Sequence, residues 1–353
     1  MFKHVLLVVN PTAESHTDHR WITELIDRLN ERTSCLVSVC YTSRETTAES
    51  LIELLEPPLD LVIAAGGDGT LRFALEALAR RKSEIPLAIM PTGTGNVLAR
   101  NLGIVSENFF ADPMDRAIDC LLDGVVHPMD LGVANGHIFS GIGGVGPLAE
   151  AFAEPERKDK TRLQMFAYAA TLIEKISEPP SVFRVYTKES VLEVEASSIF
   201  IGNVPDFGFH HSPELSYLAD GMLCLAIVAP RNFGDYINLG YRFISGDHEE
   251  TAPVYMRSFQ ELVLEVADTS VPRSSFQELV NALFNGGTNA VEETDRSRSL
   301  RVMLDGEMTG TTPVHVRVIP HAVNVVVPRG SSLLEAKPWL DNEPRSSVAE
   351  LAD

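Results

Sequence analysis

The chain has 353 residues, of which 44% are hydrophobic and 22% charged, a length beyond that at which one core usually keeps growing, so two domains are expected. A formal net charge of −20 argues against nucleic acid as a partner and against broad electrostatic attachment to anionic membranes. No run of about 18 apolar residues is present, so the sequence offers no membrane-spanning helix.

Met1-Phe2-Lys3-His4 leads directly into the apolar run Val5-Leu6-Leu7-Val8-Val9 rather than into a secretory h-region, which implies a cytoplasmic protein. Asn10-Pro11-Thr12 ends that strand with polar groups able to turn the chain and face a ligand. Trp21, Ile22, Leu25, Ile26 and Leu29 then share one helical face. Residues 36–40 form the next strand, closed by Tyr41-Thr42-Ser43, and a helix through Leu51, Ile52 and Leu55 follows. The four cysteines, Cys35, Cys40, Cys120 and Cys224, have no C-x-x-C spacing and read as buried thiols rather than as a zinc site or disulfide framework.

The run Leu61-Val62-Ile63-Ala64-Ala65 ends abruptly in Gly66-Gly67-Asp68-Gly69-Thr70, after which Leu71, Ala74, Leu75 and Leu78 recur at helical spacing. The glycines thus lie between the carboxyl end of a buried strand and the amino end of a helix. Unpaired amides and the positive helix dipole face such a turn, and glycine lets a phosphate approach the backbone. The pattern is neither G-x-x-x-x-G-K-[ST] nor G-x-G-x-x-G. A plain glycine connector is the other reading, and a second turn of the same kind weighs against it. Leu87-Ala88-Ile89-Met90 is another short strand, followed by Pro91-Thr92-Gly93-Thr94-Gly95-Asn96 and a helix-compatible segment. Strands alternating with helices to residue 103 predict a doubly wound, Rossmann-like parallel sheet with Asn10, Thr42, Gly66 to Thr70 and Thr92 to Asn96 on one rim.

From about residue 125 the pattern changes. Asn135-Gly136 between two apolar segments is a hairpin signal, and short strands follow at 182–186, 191–194, 199–201, 223–228, 262–266, 300–304, 314–319 and 323–327. They predict a C-terminal antiparallel, β-sandwich-like domain, interrupted by helices at 163–176 and 233–244. Two Asp-Gly steps stand out. Asp305-Gly306-Glu307 places two carboxylates around a glycine, either as a hairpin turn or as a source of a general base whose pKa a like-charged neighbour would raise. Asp220-Gly221, taken by itself, reads as an ordinary turn. Arg157 to Arg162 is the one clustered basic stretch and reads as a solvated loop. Lone histidines, His248 and the pair His210-His211, are read as structural or exposed. Phe276, Leu279, Val280, Leu283 and Phe284 form one apolar helical face, begun by a Ser275/Glu278 capping box and stopped by Asn285-Gly286-Gly287. That helix either packs on the sandwich or covers a cleft.

The GGDGT segment, the PTGTGN segment one βα unit later and the distant Asp305-Gly306-Glu307 together resemble the diacylglycerol kinase catalytic family, which includes bacterial lipid kinases and sphingosine kinases. GGDGT alone is shared with the wider superfamily of NAD kinases and phosphofructokinases. The resemblance runs from about residue 3 to about residue 335. It implies a nucleotide-binding domain at 1–128, with 329–340 returning to it, a β-rich lipid-substrate domain at 129–328, and a disordered tail at 341–353. It implies ATP as phosphoryl donor with Mg2+, and places Asn10, Thr42, Gly66, Gly67, Asp68, Gly69, Thr70, Thr92, Gly93, Thr94 and Asn96 at the nucleotide. The family's base maps to Asp305-Gly306-Glu307, with Asp305 and Glu307 carried together and Asp68 as a phosphate or metal partner. A structural magnesium maps to the carbonyls of Tyr217 and Met222 with Asp220 beside them.

The expected activity is ATP-dependent phosphorylation of a hydroxyl of diacylglycerol or a related lipid, with peripheral, transient membrane contact and a homodimer left open. The chain departs from the family in two places: Asn10-Pro11-Thr12-Ala13 lacks the usual Ser-Gly pair, and Asn96-Val97 stands where bacterial diacylglycerol kinases often have Asn-Asp. These departures leave room for another hydroxylated lipid. The alternatives are a soluble-substrate kinase of the NAD kinase type and a non-catalytic nucleotide or lipid sensor.

Overall fold

The computed structural model describes residues 2–11, 20–32, 34–43, 45–93, 95–105, 113–153, 180–204, 207, 218–230, 234–235, 254–267 and 299–331. The first half alternates as its periodicity predicts: β1 (His4–Val9), α1 (Arg20–Arg32), β2 (Leu36–Tyr41), α2 (Ala48–Ile52), β3 (Leu61–Gly66), α3 (Asp68–Arg81), β4 (Leu87–Pro91), α4 (Val97–Asn101) and α5 (Pro113–Asp123). Strands β1 to β4 pair in parallel in the order β2-β1-β3-β4. All six residues of β3 are buried, as a strand covered by helices on both faces requires. The carboxyl ends of β1, β2, β3 and β4 therefore form one rim bearing Asn10, Thr42, Gly67 and Thr92.

The second half is antiparallel: β5 (Val125–Ala134), β6 (His137–Phe139), β7 (Ile142–Val145), α6 (Pro147–Ala153), β8 (Ser181–Tyr186), β9 (Val191–Ala196), β10 (Ser198–Gly202), β11 (Leu223–Val228), β12 (Val254–Phe259), β13 (Glu261–Val266), β14 (Arg301–Leu304), β15 (Glu307–Thr311) and β16 (Val314–Val327). One sheet follows the order β12-β11-β10-β7-β14-β15. The other continues the parallel sheet through β4-β16-β13-β8-β9, with β5 also paired to β16 and β6. Leu262, Leu264, Phe183 and Val185 from one sheet meet Ile199, Ile201, Leu223 and Leu304 from the other in a shared core. On the far side of the six-stranded sheet, Phe200, Cys224, Ala226 and Met303 pack with Leu148 and Ala149 of α6. Covering on both faces explains why every residue of β10 and β11 is buried.

Several details differ from the sequence reading. The two strands expected at 314–319 and 323–327 are one long strand, β16, whose pairing with β5 shifts between Ile319 and Val323, where His321 has φ 48. Cys35 precedes β2 rather than lying in an element, and Cys35 and Cys40 are half-buried, whereas Cys120 and Cys224 are buried as expected. β2 is an edge strand, so its side chains are not enclosed on both faces. The Asn135-Gly136 hairpin is present, with φ of 46 and 87 at its two central residues. The helices expected at 163–176, 233–244 and 275–284, the basic stretch 157–162, His210, His211, His248, the return segment and the tail lie outside the described residues, apart from 234–235 and 329–331.

Candidate active site

The two glycine turns interlock. Thr92 and Gly93 donate their amides to the Gly66 carbonyl at 3.1 and 3.3 Å, so the second turn hangs from the last residue of β3. A Cβ on Gly93 would overlap the Cα of Gly67, and one on Gly66 would overlap the Thr70 hydroxyl, so the chain crossings need glycine. The Asn96 amide nitrogen donates to the carbonyls of Gly93, at 2.7 Å, and Pro91, at 3.3 Å, closing the second turn on itself. Thr94 lies outside the described residues.

Asp68, first residue of α3, reaches across to the second turn, where its Oδ1 accepts the Val97 amide at 2.8 Å. Asn96, the N-cap of α4, has φ 51 and makes no capping bond of its own, so Asp68 supplies the cap from the neighbouring helix. Burial raises the Asp68 pKa, opposed by the amides of Val97 and Asn96. The N-cap of α3 is Gly67, extended at φ −89 and ψ −170, with no side-chain bond. Helix geometry leaves the amides of the first α3 turn without carbonyl partners inside the helix, which suits a phosphate.

Asn10 and Thr42 flank this cradle through their backbones: Asn10 donates its amide to Ala65 O at 2.9 Å, and Thr42 donates to Val9 O at 2.8 Å. The Thr42 hydroxyl also turns to Val9 O, at 3.3 Å.

The Asp305-Gly306 step is the two-residue turn of the β14–β15 hairpin, with φ 47 and 86, and it is also part of the site. Its two carboxylates have different surroundings. Asp305 Oδ2 accepts the Ser140 amide at 2.9 Å and hydroxyl at 3.3 Å, while Oδ1 accepts the amides of Gly141 and Ile142 at 2.9 and 3.1 Å. Burial raises its pKa, the Ser140 and Gly141 amides oppose this, and the charge of Asp68 raises it further. The like-charged neighbour is therefore Asp68, from the first turn, rather than Glu307. Asp305 fastens the hairpin to the segment entering β7.

Glu307 is exposed and free of such backbone ties. Its Oε2 accepts from Arg72 Nη2 at 2.6 Å, and its Oε1 lies 3.8 Å from where a Cβ on Gly69 would stand. The glycine turn, the α3 N-terminus and a solvent-facing carboxylate thus converge on one place. Arg72 on α3, three residues beyond Gly69, is the member of this group that sequence reasoning missed; its signal was an arginine one turn into the helix of a phosphate loop.

A second missed residue is Asp130, a lone carboxylate inside an apolar strand, where burial demands donors. Its Oδ1 accepts the His321 amide at 2.7 Å and its Oδ2 the Gly221 amide at 2.6 Å. It thereby ties β5 to the bulge of β16 and to the Asp220-Gly221 turn. Asp220 Oδ1 accepts the Met222 amide at 2.9 Å, an ordinary turn contact. Tyr217 lies outside the described residues. Among the described residues, no group of three or more His, Cys, Asp or Glu side chains is arranged to hold a metal.

The family model of the diacylglycerol kinase catalytic domain matches residues 4–134. The chain is 29% identical to the diacylglycerol kinase of Bacillus subtilis (strain 168) over 70% of this chain and 80% of that one. It is 29% identical to the probable lipid kinase YegS-like protein of Pseudomonas aeruginosa (strain UCBPP-PA14) over 82% of this chain and 83% of that one. Among solved structures, a diacylglycerol kinase from Bacillus anthracis str. Sterne superposes with a TM-score of 0.65 at 19% identity, covering 94% of this chain and 98% of that one, a likeness of fold. Both glycine turns lie inside the matched segment, so the chain is similar to the diacylglycerol kinase catalytic-domain family in the part that forms the site.

Proposed function

We propose that this protein is an ATP-dependent lipid kinase that transfers the terminal phosphoryl group to a hydroxyl of diacylglycerol or a related lipid. The observation that carries the reading is the approach of Glu307 to Gly69: a solvent-facing carboxylate stands over the first turn of α3, beside a cradle that only glycine can form. Phosphoryl transfer asks for little else from a protein than positioning, charge stabilisation and a base near the attacking hydroxyl.

In this reading the amides of Gly67, Gly69 and Thr70, with that of Gly95, hold the nucleotide phosphates, and Gly93, whose amide goes to the Gly66 carbonyl, lets the two turns meet. Asn10, Thr42, Thr92, Thr94 and Asn96 shape the rim. Glu307 takes the hydroxyl proton, and Asp305 holds the hairpin that carries it. A magnesium ion fits this place because Mg2+ is usually held by one or two carboxylates plus phosphate oxygens and water, and Asp68 offers its carboxylate there. It would offset charge on the phosphates. A second, structural magnesium at the Asp220 turn would use the Tyr217 and Met222 carbonyls with Asp220.

The domain division is drawn at about residue 128, with residues 129–328 forming the lipid side. β5 runs through that boundary, and the last part of β16 pairs with both β5 and β4, so the two halves share strands. Among the described residues no helix is long and apolar enough to cross a membrane. In this reading the lipid is met by peripheral, transient contact from the cytoplasmic side.

Incubating the protein with labelled ATP and Mg2+, once with a lipid extract and once with NAD, tests the reading. Label is expected in the organic phase. Label appearing only in NADP, or binding of ATP without transfer to any lipid, would overturn it in favour of the soluble-substrate kinase or the non-catalytic sensor.

A further inference from the structure

We propose that Arg72 couples nucleotide binding to the release of the candidate base. Its guanidinium holds Glu307 while no phosphate competes for it, then pairs in place with the terminal phosphate of ATP, and the released carboxylate turns to the lipid hydroxyl. This rests on the reading of the site as that of an ATP-dependent lipid kinase.

The geometry supplies three arguments. First, Arg72 follows Asp68 by four residues on α3 and so shares its helix face, next to the turn that would hold the phosphates. Its Nη2 is 2.6 Å from Glu307 Oε2, and the other oxygen of the same carboxylate is 3.8 Å from the Cβ position of Gly69. Cation, carboxylate and helix N-terminus are thus within one turn of each other. Second, the arginine is held in place while the glutamate is not: its side chain is 15% exposed against 58% for Glu307, and the guanidinium lies 5.6 Å from the Phe73 ring centroid. An enclosed cation and an exposed carboxylate make a pair in which the carboxylate is the partner that can leave. Third, the contact with Glu307 runs through one terminal nitrogen, whereas a guanidinium offers five N–H donors in a fork suited to phosphate. A terminal phosphate of higher charge competes well for it.

The coupling would keep the base occupied until the donor is seated. In the transfer, the lipid oxygen forms its bond to the terminal phosphorus as the bond from that phosphorus to ADP breaks. ADP keeps the electron pair, and the hydroxyl proton passes to Glu307. Arg72 acts on the base and on the donor phosphate, and Lys in its place would keep the charge but lose the fork.

The test is calorimetric titration of the full-length protein with MgATP and MgADP, for the wild type, Arg72→Gln, Arg72→Lys, Glu307→Gln and the double variant Arg72→Gln/Glu307→Gln. Arg72→Gln is expected to weaken ATP about tenfold or more and ADP less than about twofold, with Arg72→Lys between it and the wild type. Glu307→Gln is expected to tighten ATP several-fold, because the guanidinium loses its competitor, and this gain should vanish in the double variant. A simple structural ion pair predicts instead that both single variants lower the melting temperature alike and move the nucleotide constants together or not at all, which would overturn the proposal. Tightening that persists in the double variant would also overturn it, because it would mean plain charge repulsion between Glu307 and the phosphates. Should Arg72→Gln fail to fold, Arg72→Lys still decides, since a lysine that binds ATP and ADP as the wild type does removes the guanidinium from the donor's site. These binding constants do not depend on turnover. A wild type that binds ATP but phosphorylates no lipid therefore defeats the kinase reading by itself, without deciding how Arg72 responds to the nucleotide.

Discussion

Asp68 Oδ2 lies 2.5 Å from where a Cβ on Gly95 would stand, so the carboxylate that caps α4 and the glycine of the second turn fit against each other with no room for a methyl group. Gly95→Ala must therefore push Asp68 off the Val97 amide. Gly93→Ala must part the two turns, because its Cβ would overlap Gly67. Each change is expected to destabilise the protein by roughly 1–3 kcal/mol, the usual range for overpacking, and to weaken ATP binding by more than that loss alone explains. Gly67→Ala is the contrast, since a Cβ there meets only the Gly93 Cα at 3.4 Å. Chemical denaturation and ATP titration of the three variants check this. A Gly95→Ala protein with wild-type stability and ATP affinity would show that the two turns are not locked together.

Asp305 and Glu307 are two residues apart yet should fail in different ways. Asp305→Asn puts an amide nitrogen against N–H donors from Ser140, Gly141 and Ile142. Stability should fall by about 1–3 kcal/mol for the buried donor left unpaired, and activity should fall with it. Glu307→Gln touches an exposed group and should leave the melting temperature nearly unchanged while lowering kcat by about 10²–10⁴, the range for a lost general base. Melting curves alongside initial rates separate the two. Wild-type turnover in Glu307→Gln would remove it as the base.

Asp130 gives a pH prediction whose sign is fixed by its burial. Desolvation raises its pKa above the ordinary 3.8, with the His321 and Gly221 amides opposing the shift. A carboxyl whose folded pKa is raised contributes stability that is fully present below 3.8 and is lost as pH rises through the folded value. The stability margin of the wild type over Asp130→Asn, read from urea midpoints, should therefore be largest at the acid end and shrink as pH rises toward neutrality. A margin that grows with pH would mean that the folded protein prefers the charged form.

The parallel half of the fold was legible because β1, β3 and β4 are buried on both faces and read as unbroken apolar runs between clear helical periods. Much of the antiparallel half was harder for physical reasons. In β7, Gly143 and Gly144 look like loop residues, yet a Cβ at Gly143 would come within 2.9 Å of Leu304 and one at Gly144 within 2.8 Å of Phe200. Those glycines make room for neighbouring strands, and in doing so they erase the strand's own signal. β15 begins with Glu307 and is half-exposed, so it has little alternation to find. Pro320-His321 looked like a break between two strands because a bulge and a turn use the same residues. At the site, GGDGT and the Asp-Gly-Glu step were visible as motifs, but the division of labour between Asp305 and Glu307 depends on three amides 163 to 165 residues away. Arg72 and Asp130 were missed for the same reason, as their partners are distant in sequence.

The far end of the ten-stranded sheet offers a test of whether stability and activity can be separated. Tyr186 on β8 donates its hydroxyl to Glu265 Oε1 on β13 at 2.6 Å, and both residues are buried. Burial raises the Tyr186 pKa and the bond to Glu265 raises it further, which keeps the phenol a donor. Arg184 adds a contact to Glu265 at 3.6 Å while its Nε pairs with Glu193 at 2.7 Å. Removing the hydroxyl takes one donor from a buried carboxylate, so Tyr186→Phe should cost about 1–3 kcal/mol. β16 lies between these strands and β4, so the same change should leave kcat and the KM for ATP unaltered below the melting range. Urea denaturation together with steady-state kinetics on lipid vesicles reads both. A raised KM for the lipid with unchanged stability would instead make this cluster part of the lipid's binding surface.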